Sequence, residues 1–418
     1  MRFRADIVAF LSCSLVSAQG QELKLSTLIS EALERNPEIL AAQKKCEAAR
    51  QRPRQVRSLP DPILSPGWTS NGNPLPGAGI GVIPTSNIGV SVTQEVPYPG
   101  KRTLRGEVAS KEAEAEFAEM QIVELGVVSQ VKQAFFRLQH SYAAQDVLER
   151  NRELLKKLLA VTEIAYSSGK AAQQDVFKAQ IQLSLIETKL VQISRERRLR
   201  EAELNRLLNR SSEIAYPKPA DPHIGPISKT LAELQAAAGA NSPLQLKEQK
   251  LTERAESAVN LARKDFYPDY ALSAGYYNQA GMSPMYTFRA DIRLPLWRGK
   301  QQAALTEQVF SLSEARHRFQ ATGQNLAFRI ADDYSMAETS LQLVNLYLNT
   351  ILPQARLTID SSMASYETGS IDFLSVLNNY MAAYEYEMDY HEEMLNYHLA
   401  LSRLEETSGV PLIGEDHQ

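Results

Sequence analysis

The stretch Ala165-Tyr166-Ser167-Ser168-Gly169 recurs as Ser365-Tyr366-Glu367-Thr368-Gly369, with the tyrosine and the glycine each displaced by 200 positions. A second pair of landmarks lies upstream. Val96-Pro97-Tyr98-Pro99-Gly100-Lys101 is echoed by Leu294-Pro295-Leu296-Trp297-Arg298-Gly299-Lys300, each after an alternating apolar run. Further upstream, Asn36-Pro37-Glu38-Ile39-Leu40 and Asn241-Ser242-Pro243-Leu244 each open a helix-patterned stretch. Three landmarks in one order, twice, indicate a duplicated unit. The predicted boundaries are 19–210 for the first unit, 211–240 for a linker, 241–411 for the second unit and 412–418 for a tail.

Each unit reads as short helix, strand, loop, strand, very long helix, glycine turn and long returning helix. Lys101 to Tyr166 contains no proline, and Ile122, Leu125, Val128, Val131, Phe135, Leu138 and Tyr142 recur at helical spacing. A helix of roughly 65 residues is about 100 Å long, which is a coiled-coil dimension. The second copy, Gly299 to Tyr366, is interrupted only by Pro353, so a kink or break is expected beside Leu352. The chain then returns through Ala171 to Leu208 and Ile371 to Ser408. Asp175 and Asp372 sit near the starts of these helices, where a carboxylate complements the helix dipole.

Strand candidates alternate with period two. Tyr286, Phe288, Ala290, Ile292 and Leu294 point one way and Arg289, Asp291 and Arg293 the other. Ile88, Val90 and Val92 alternate in the same manner, as do Tyr270, Leu272, Ala274 and Tyr276; Asp61 to Ser70 is weakened by Pro62 and Pro66. A soluble sandwich would also alternate. Hairpins carried between very long helices, however, lack a partner sheet in the chain, and a few strands cannot close a barrel alone. Apolar-out, polar-in strands of about ten residues suit a membrane barrel assembled from several copies. Four strands per chain make twelve in a trimer.

The 418 residues are 44% hydrophobic and 22% charged, with net charge -4. Nothing basic is concentrated enough to displace phosphate counterions, so nucleic acid is not a partner. Residues 1–18 read as a secretory signal, with Arg2 and Arg4 ahead of an apolar run and Val16-Ser17-Ala18 as cleavage site. Cys13 is a possible lipid-attachment cysteine in a poor context. Removing the signal leaves Cys46 alone, so no intramolecular disulfide can form. Past the signal no run of 18 apolar residues exists, which leaves β-strands as the only way across a membrane.

Catalytic signatures are missing: there is no phosphate-cradling glycine loop with a lysine, no nucleophile elbow and no paired metal-ligand motif. No cofactor is called for, and the chain does not read as an enzyme. His140, His223, His317 and His417 stand without evident partners. One cluster has two readings. Met388, His391, Met394 and His398 share a helical face at spacings of three, three and four. They continue the coiled-coil packing stripe of Tyr380, Tyr384 and Leu395, or they offer soft donors for transient metal contacts. The acids Glu385, Glu387, Asp389, Glu392 and Glu393 are likewise either a solvated face or a cation-favouring lumen.

The doubled order resembles the TolC family of outer-membrane factors, from about Leu25 to Pro411. The motifs that carry the resemblance are Tyr166-Ser167-Ser168-Gly169 with Asp175-Val176-Phe177-Lys178-Ala179-Gln180, doubled at a fixed period. The corner Gln94 to Arg102 is similar to that of the heavy-metal branch, the outer component of Czc- and Cus-type pumps. The resemblance implies a homotrimer with a twelve-stranded barrel in the outer membrane and a helical periplasmic tunnel. It serves as the passive exit duct of a tripartite system, with a periplasmic adaptor and an inner-membrane pump, such as one of RND type, as partners. Tyr166, Gly169, Asp175, Tyr366 and Gly369 become candidate docking residues at the hairpin tips. Asp372, Ser375 and Asn378 become the candidate gate, although the family's aspartates are here replaced at Ser375 and Asn378. The competing reading is a periplasmic coiled-coil structural or adaptor protein without a barrel.

Overall fold

A computed structural model describes residues 23–72, 74–220 and 224–413; the predicted signal and Cys13 lie outside them. The first unit runs α1 (Leu25–Arg35), α2 (Pro37–Ala49), α3 (Arg52–Arg57), β1 (Ile63–Thr69), β2 (Asn87–Val96), α4 (Lys101–Ser167) and α5 (Gln173–Leu207). The second runs α6 (Leu231–Asn241), α7 (Pro243–Lys264), β3 (Asp269–Asn278), β4 (Met285–Arg293), α8 (Arg298–Leu346), a π-helical turn (Tyr347–Ile351), α9 (Leu352–Glu367) and α10 (Phe373–Ser408).

The single short helix expected at the head of each unit is in fact two or more, because a proline starts a new helix. Pro37 follows Asn36, whose side-chain oxygen accepts from the Glu38 and Ile39 amides at 2.8 and 3.4 Å. Pro243 opens α7 in the same way.

At 67 residues, α4 is unbroken and about 100 Å long. Its counterpart is broken one turn earlier than Pro353 itself. Pro353 has no N–H for the preceding turn and its ring crowds the carbonyl four residues back, so the helix widens into the π turn before resuming at Leu352. The Tyr347 hydroxyl donates from this turn to Asp389 of α10 at 3.2 Å.

Both hairpins reverse through one turn chemistry. Gly169 and Gly369 have φ of 73° and 78°. Lys170 N donates to Ala165 O and Ser370 N to Ser365 O, both at 2.8 Å, which closes the carbonyls left open at the helix ends.

The two strand hairpins, expected to lack a partner, pair with each other. All four strands form one antiparallel sheet in the order β1-β2-β3-β4, joined in the middle by β2 and β3. The duplicated units lie side by side, so each supplies the other's inner edge. β1 carries Pro66 opposite Val90 and is an edge strand within the chain, the place where a strand tolerates proline.

The core is drawn out along the helices. Leu28, Ala32 and Ile39 pack on Val127, Val131, Leu138 and Leu204 in the upper part. Leu234 and Ala238 of α6 meet Ile330 and Leu404. At the tip end Leu155, Leu158, Ala179 and Ile186 of the first hairpin meet Phe373, Val376 and Tyr380 of the second. The segment after α5 is tied down rather than loose: buried Tyr216 donates to Asn205 at 2.6 Å, and its carbonyl accepts from Tyr142 at 2.7 Å.

Candidate channel surfaces and hairpin tips

Register sorts the sheet into two chemically opposite faces, because residues paired across strands project to the same side. Leu64, Val92, Ala274 and Phe288 form one row and Pro66, Val90, Tyr276 and Tyr286 the next, with the two tyrosine rings 5.5 Å apart. Nothing in the described chain covers this face; Phe288 is 82% exposed. The opposite face holds Thr93, Ser273 and Arg289 in one row and Glu95, Ala271 and Asp291 in the next. Arg289 bridges Asp291 at 2.9 Å and Arg293 bridges Glu95 at 3.2 Å. The alternation read from Tyr286 to Leu294 is therefore the alternation of these faces.

The first strand-to-helix corner is a closed joint. Gly100 takes φ of 92°, which turns the chain into α4. Lys101 is 3% exposed, and its ammonium donates to Tyr267 O at 3.1 Å and to Asp269 Oδ1 at 3.0 Å. The same carboxylate accepts from Tyr98 N at 2.8 Å, and the Tyr98 and Tyr267 rings stack at 4.6 Å. Lys101 was read only as part of the corner motif; its burial depends on Tyr267 and Asp269 from the other unit.

At the tips the paired tyrosines part company. Tyr166 is exposed, whereas Tyr366 turns between the hairpins, with its hydroxyl donating to Thr162 at 3.4 Å and its ring 6.2 Å from that of Phe373. At Gly169 and Gly369 a Cβ would meet nothing within 4 Å. Asp175 lies in the first turn of α5, 3.9 Å from Lys178.

Asp372 caps α10, its carboxylate accepting from Ser375 N at 3.3 Å and from the Ser375 hydroxyl. Those bonds, the hydroxyl's first, hold its carboxyl below the usual carboxylate range. Ser375 and Asn378 are exposed beside it, while Asn379 bonds Ser362 at 2.7 Å.

The acidic run of α10 is divided between uses. Glu387 faces Arg150 at 3.5 Å and Arg356 at 3.8 Å, and Glu393 accepts from Ser340 at 2.7 Å. Glu385, Asp389 and Glu392 remain on the exposed side.

The His/Met cluster is also split. Met388 packs on the tip-end core. His391, Met394 and His398 instead line a cavity of about 210 Å³ between α4, α10 and the segment after α5, with His140, Phe136 and Lys218 on its other walls. His140 was read as isolated; no sequence spacing could connect it to residues some 250 positions away. Among the described residues, no three His, Cys, Asp or Glu side chains stand close enough to hold a metal ion, and no helix is long and apolar enough to cross a membrane.

Comparison with known proteins gives one result at every level. The chain is 22% identical over 377 residues to the cation efflux system protein CusC of Escherichia coli O157:H7, covering 85% of this chain and 79% of that protein. Its fold superposes on the solved structure of CusC with a TM-score of 0.79 at 18% identity, over 94% of this chain and 95% of that one. The outer membrane protein VceC of Vibrio cholerae gives 0.78 at 20% identity, over 93% and 96%. The open MtrE outer membrane channel of Neisseria gonorrhoeae gives 0.77 at 17%, over 93% and 89%. The family model for outer membrane efflux proteins matches residues 28–210 and 234–410, both halves of the duplication. With its exposed apolar sheet mounted on helices of tunnel length, the chain thus belongs to the outer membrane efflux protein family, and it is an outer-membrane channel with a periplasmic extension.

Proposed function

We propose that three copies of the chain build one twelve-stranded barrel and one helical tunnel, and that this duct is the exit of a tripartite system whose cargo is a cation. The observation that carries the reading is the sheet. Its apolar face is uncovered, its outer strands β1 and β4 pair on one side only within the chain, and four strands are too few to close. Three sheets joined edge to edge remove every open edge, as a membrane requires. A coiled-coil protein without a barrel has no use for such a face. The hairpin tips, with Tyr166, Gly169 and Asp175 on the first and Gly369 on the second, lie a full helix length from the barrel and would meet a periplasmic adaptor and, through it, an inner-membrane pump such as one of RND type. Tyr366 would set how the two hairpins sit together at that docking end. Asp372, Ser375 and Asn378 would line the narrow mouth. The cation cargo is favoured by the likeness to the cation efflux protein and by the acids left exposed on α10.

The duct conducts passively, the chain itself carrying no motif for energy coupling. Mass measurement in detergent tests the assembly: a trimer is expected, and a stable monomer with a complete barrel would refute it. Expression in cells lacking their own exit duct, with cation accumulation measured beside that of an organic dye, tests the cargo. Lowered dye and unchanged metal content would refute the cation reading.

A further inference from the structure

The sheet carries its cations at one end only. No residue from 62 to 94 or from 270 to 288 is charged, a span that takes in β1, most of β2 and β3 and the loops at the far end. Charge returns where the strands hand over to the helices. After Asp291 the chain runs Ile292-Arg293-Leu294-Pro295-Leu296-Trp297-Arg298-Gly299-Lys300, and the next acid is Glu307. Arg293 belongs to the polar face and bridges Glu95 at 3.2 Å. Arg298 and Lys300 are exposed, and among the described residues neither meets a carboxylate. Beside them Leu294, Leu296 and Trp297 are 60%, 72% and 86% exposed. Leu294 shares a face with Phe288 and Ile292, so the apolar face of the sheet runs on into this corner. The backbone holds the corner in shape: Arg298 N donates to Leu296 O at 3.1 Å and Lys300 N to Trp297 O at 3.3 Å.

We propose that this corner binds the phosphate of an anionic phospholipid in the periplasmic leaflet, with Arg298 and Lys300 at the headgroup and Trp297 at the boundary between headgroups and acyl chains. The inference rests on the apolar sheet face meeting lipid, as proposed above. Along the chain the chemistry changes in the order in which a leaflet changes, from hydrocarbon through interface to charged headgroup. Indole suits the middle layer, having an apolar body and a polar N–H. Two cations without a neighbouring acid favour a lipid of net negative charge over a zwitterion, whose own ammonium offsets its phosphate. A second copy is a poor occupant on the same ground. In a shared barrel β1 of the neighbour lies beside β4, and α3 ahead of it brings Arg52, Arg54 and Arg57 and no acid.

The test uses the full chain in vesicles of phosphatidylcholine and phosphatidylglycerol in equal parts, with bromine on the upper acyl chains of one lipid or the other. Trp68→Phe leaves Trp297 as the only tryptophan. Its emission should be quenched about twofold more strongly when phosphatidylglycerol carries the bromine, and about 1 M NaCl should remove the difference. Arg298→Gln with Lys300→Gln should leave Trp297 quenched by both lipids alike. Arg298→Lys with Lys300→Arg, which exchanges the cations, should keep the preference. Equal quenching by the two lipids in the parent, or an undiminished preference in the double glutamine variant, overturns the proposal. So does a Trp297 that neither lipid quenches, since a protein surface would then cover the corner. Trp297→Phe leaves only Trp68, on the apolar face at the uncharged end of the sheet. Both lipids should quench it equally. A quenched Trp68 beside an unquenched Trp297 defeats the headgroup site alone, whereas two unquenched tryptophans defeat the lipid-facing sheet as well.

Discussion

The chain crosses from sheet to helix twice, through Tyr98-Pro99-Gly100-Lys101 and through Trp297-Arg298-Gly299-Lys300, and the two corners end in opposite environments. Lys101 is enclosed by Asp269 and a stacked tyrosine pair, whereas Trp297 is 86% exposed and Lys300 is exposed beside it. The hairpins below diverge in the same sense: α4 is continuous, while its counterpart breaks at the π turn. Duplication copied the element order but not the mechanics. The first copy supplies the unbroken helix and the buried lysine that joins the two units. The second copy carries the exposed corner and the break.

The largest expected effect comes from cutting the closed corner. Lys101→Ala leaves Asp269 without its buried partner and should cost about 3 kcal/mol, read as a fall in the protein's melting temperature. Lys300→Ala should stay within about 0.5 kcal/mol. Equal losses would erase the distinction between the corners. On the sheet, Ile292→Lys should cost about 2–4 kcal/mol if its face meets lipid, while Asp291→Asn should spare folding and shift ion selectivity in a planar bilayer. Comparable damage at both positions would mean that neither face is the lumen.

A smaller effect is expected at the tips. A Cβ at Gly169 or Gly369 meets no atom within 4 Å, so the penalty of valine there is chiefly that of left-handed backbone, about 1–2 kcal/mol for each. Gly369→Val should leave trimers in the outer membrane and abolish export; normal export would remove the tip from the docking surface. The smallest effect concerns Asp372. Its carboxyl titrates below its unfolded value, so the cap stabilises α10 at neutral pH and fades as pH falls through the folded value. Asp372→Ala should therefore melt slightly below the parent at pH 7 and level with it in strong acid. With Ser375→Ala and Asn378→Ala added, single-channel conductance should rise; an unchanged value places the constriction elsewhere.

Most of the fold was legible because it is written in periodicities: helical spacing over Lys101 to Tyr166, alternation over Tyr286 to Leu294, and two glycines 200 positions apart. Local rules reach that far. They could not reveal that β2 pairs with β3, since the pairing spans Val96 to Tyr270, nor that Pro353 would be accommodated by widening the turn ahead of it. At the candidate sites the same limit applies. Tyr166 and Tyr366 are equivalent as letters, and only Thr162 and Phe373 draw the second one inward. His140 joins His391 and Met394 only because α4 lies against α10.

The half-paired strands β1 and β4 have a consequence for the life of the protein before it works. A lone chain bears two hydrogen-bonding edges and an apolar face with no cover, so by itself in water it is open to pairing with other edges. With the barrel shared between copies as proposed, the last step of folding is an encounter between them, and its rate depends on how many are present. At low synthesis rates unassembled chains wait longest, exposed to proteases and to pairing with the wrong edge. The number of working ducts should thus rise more steeply than in proportion to the number of chains made.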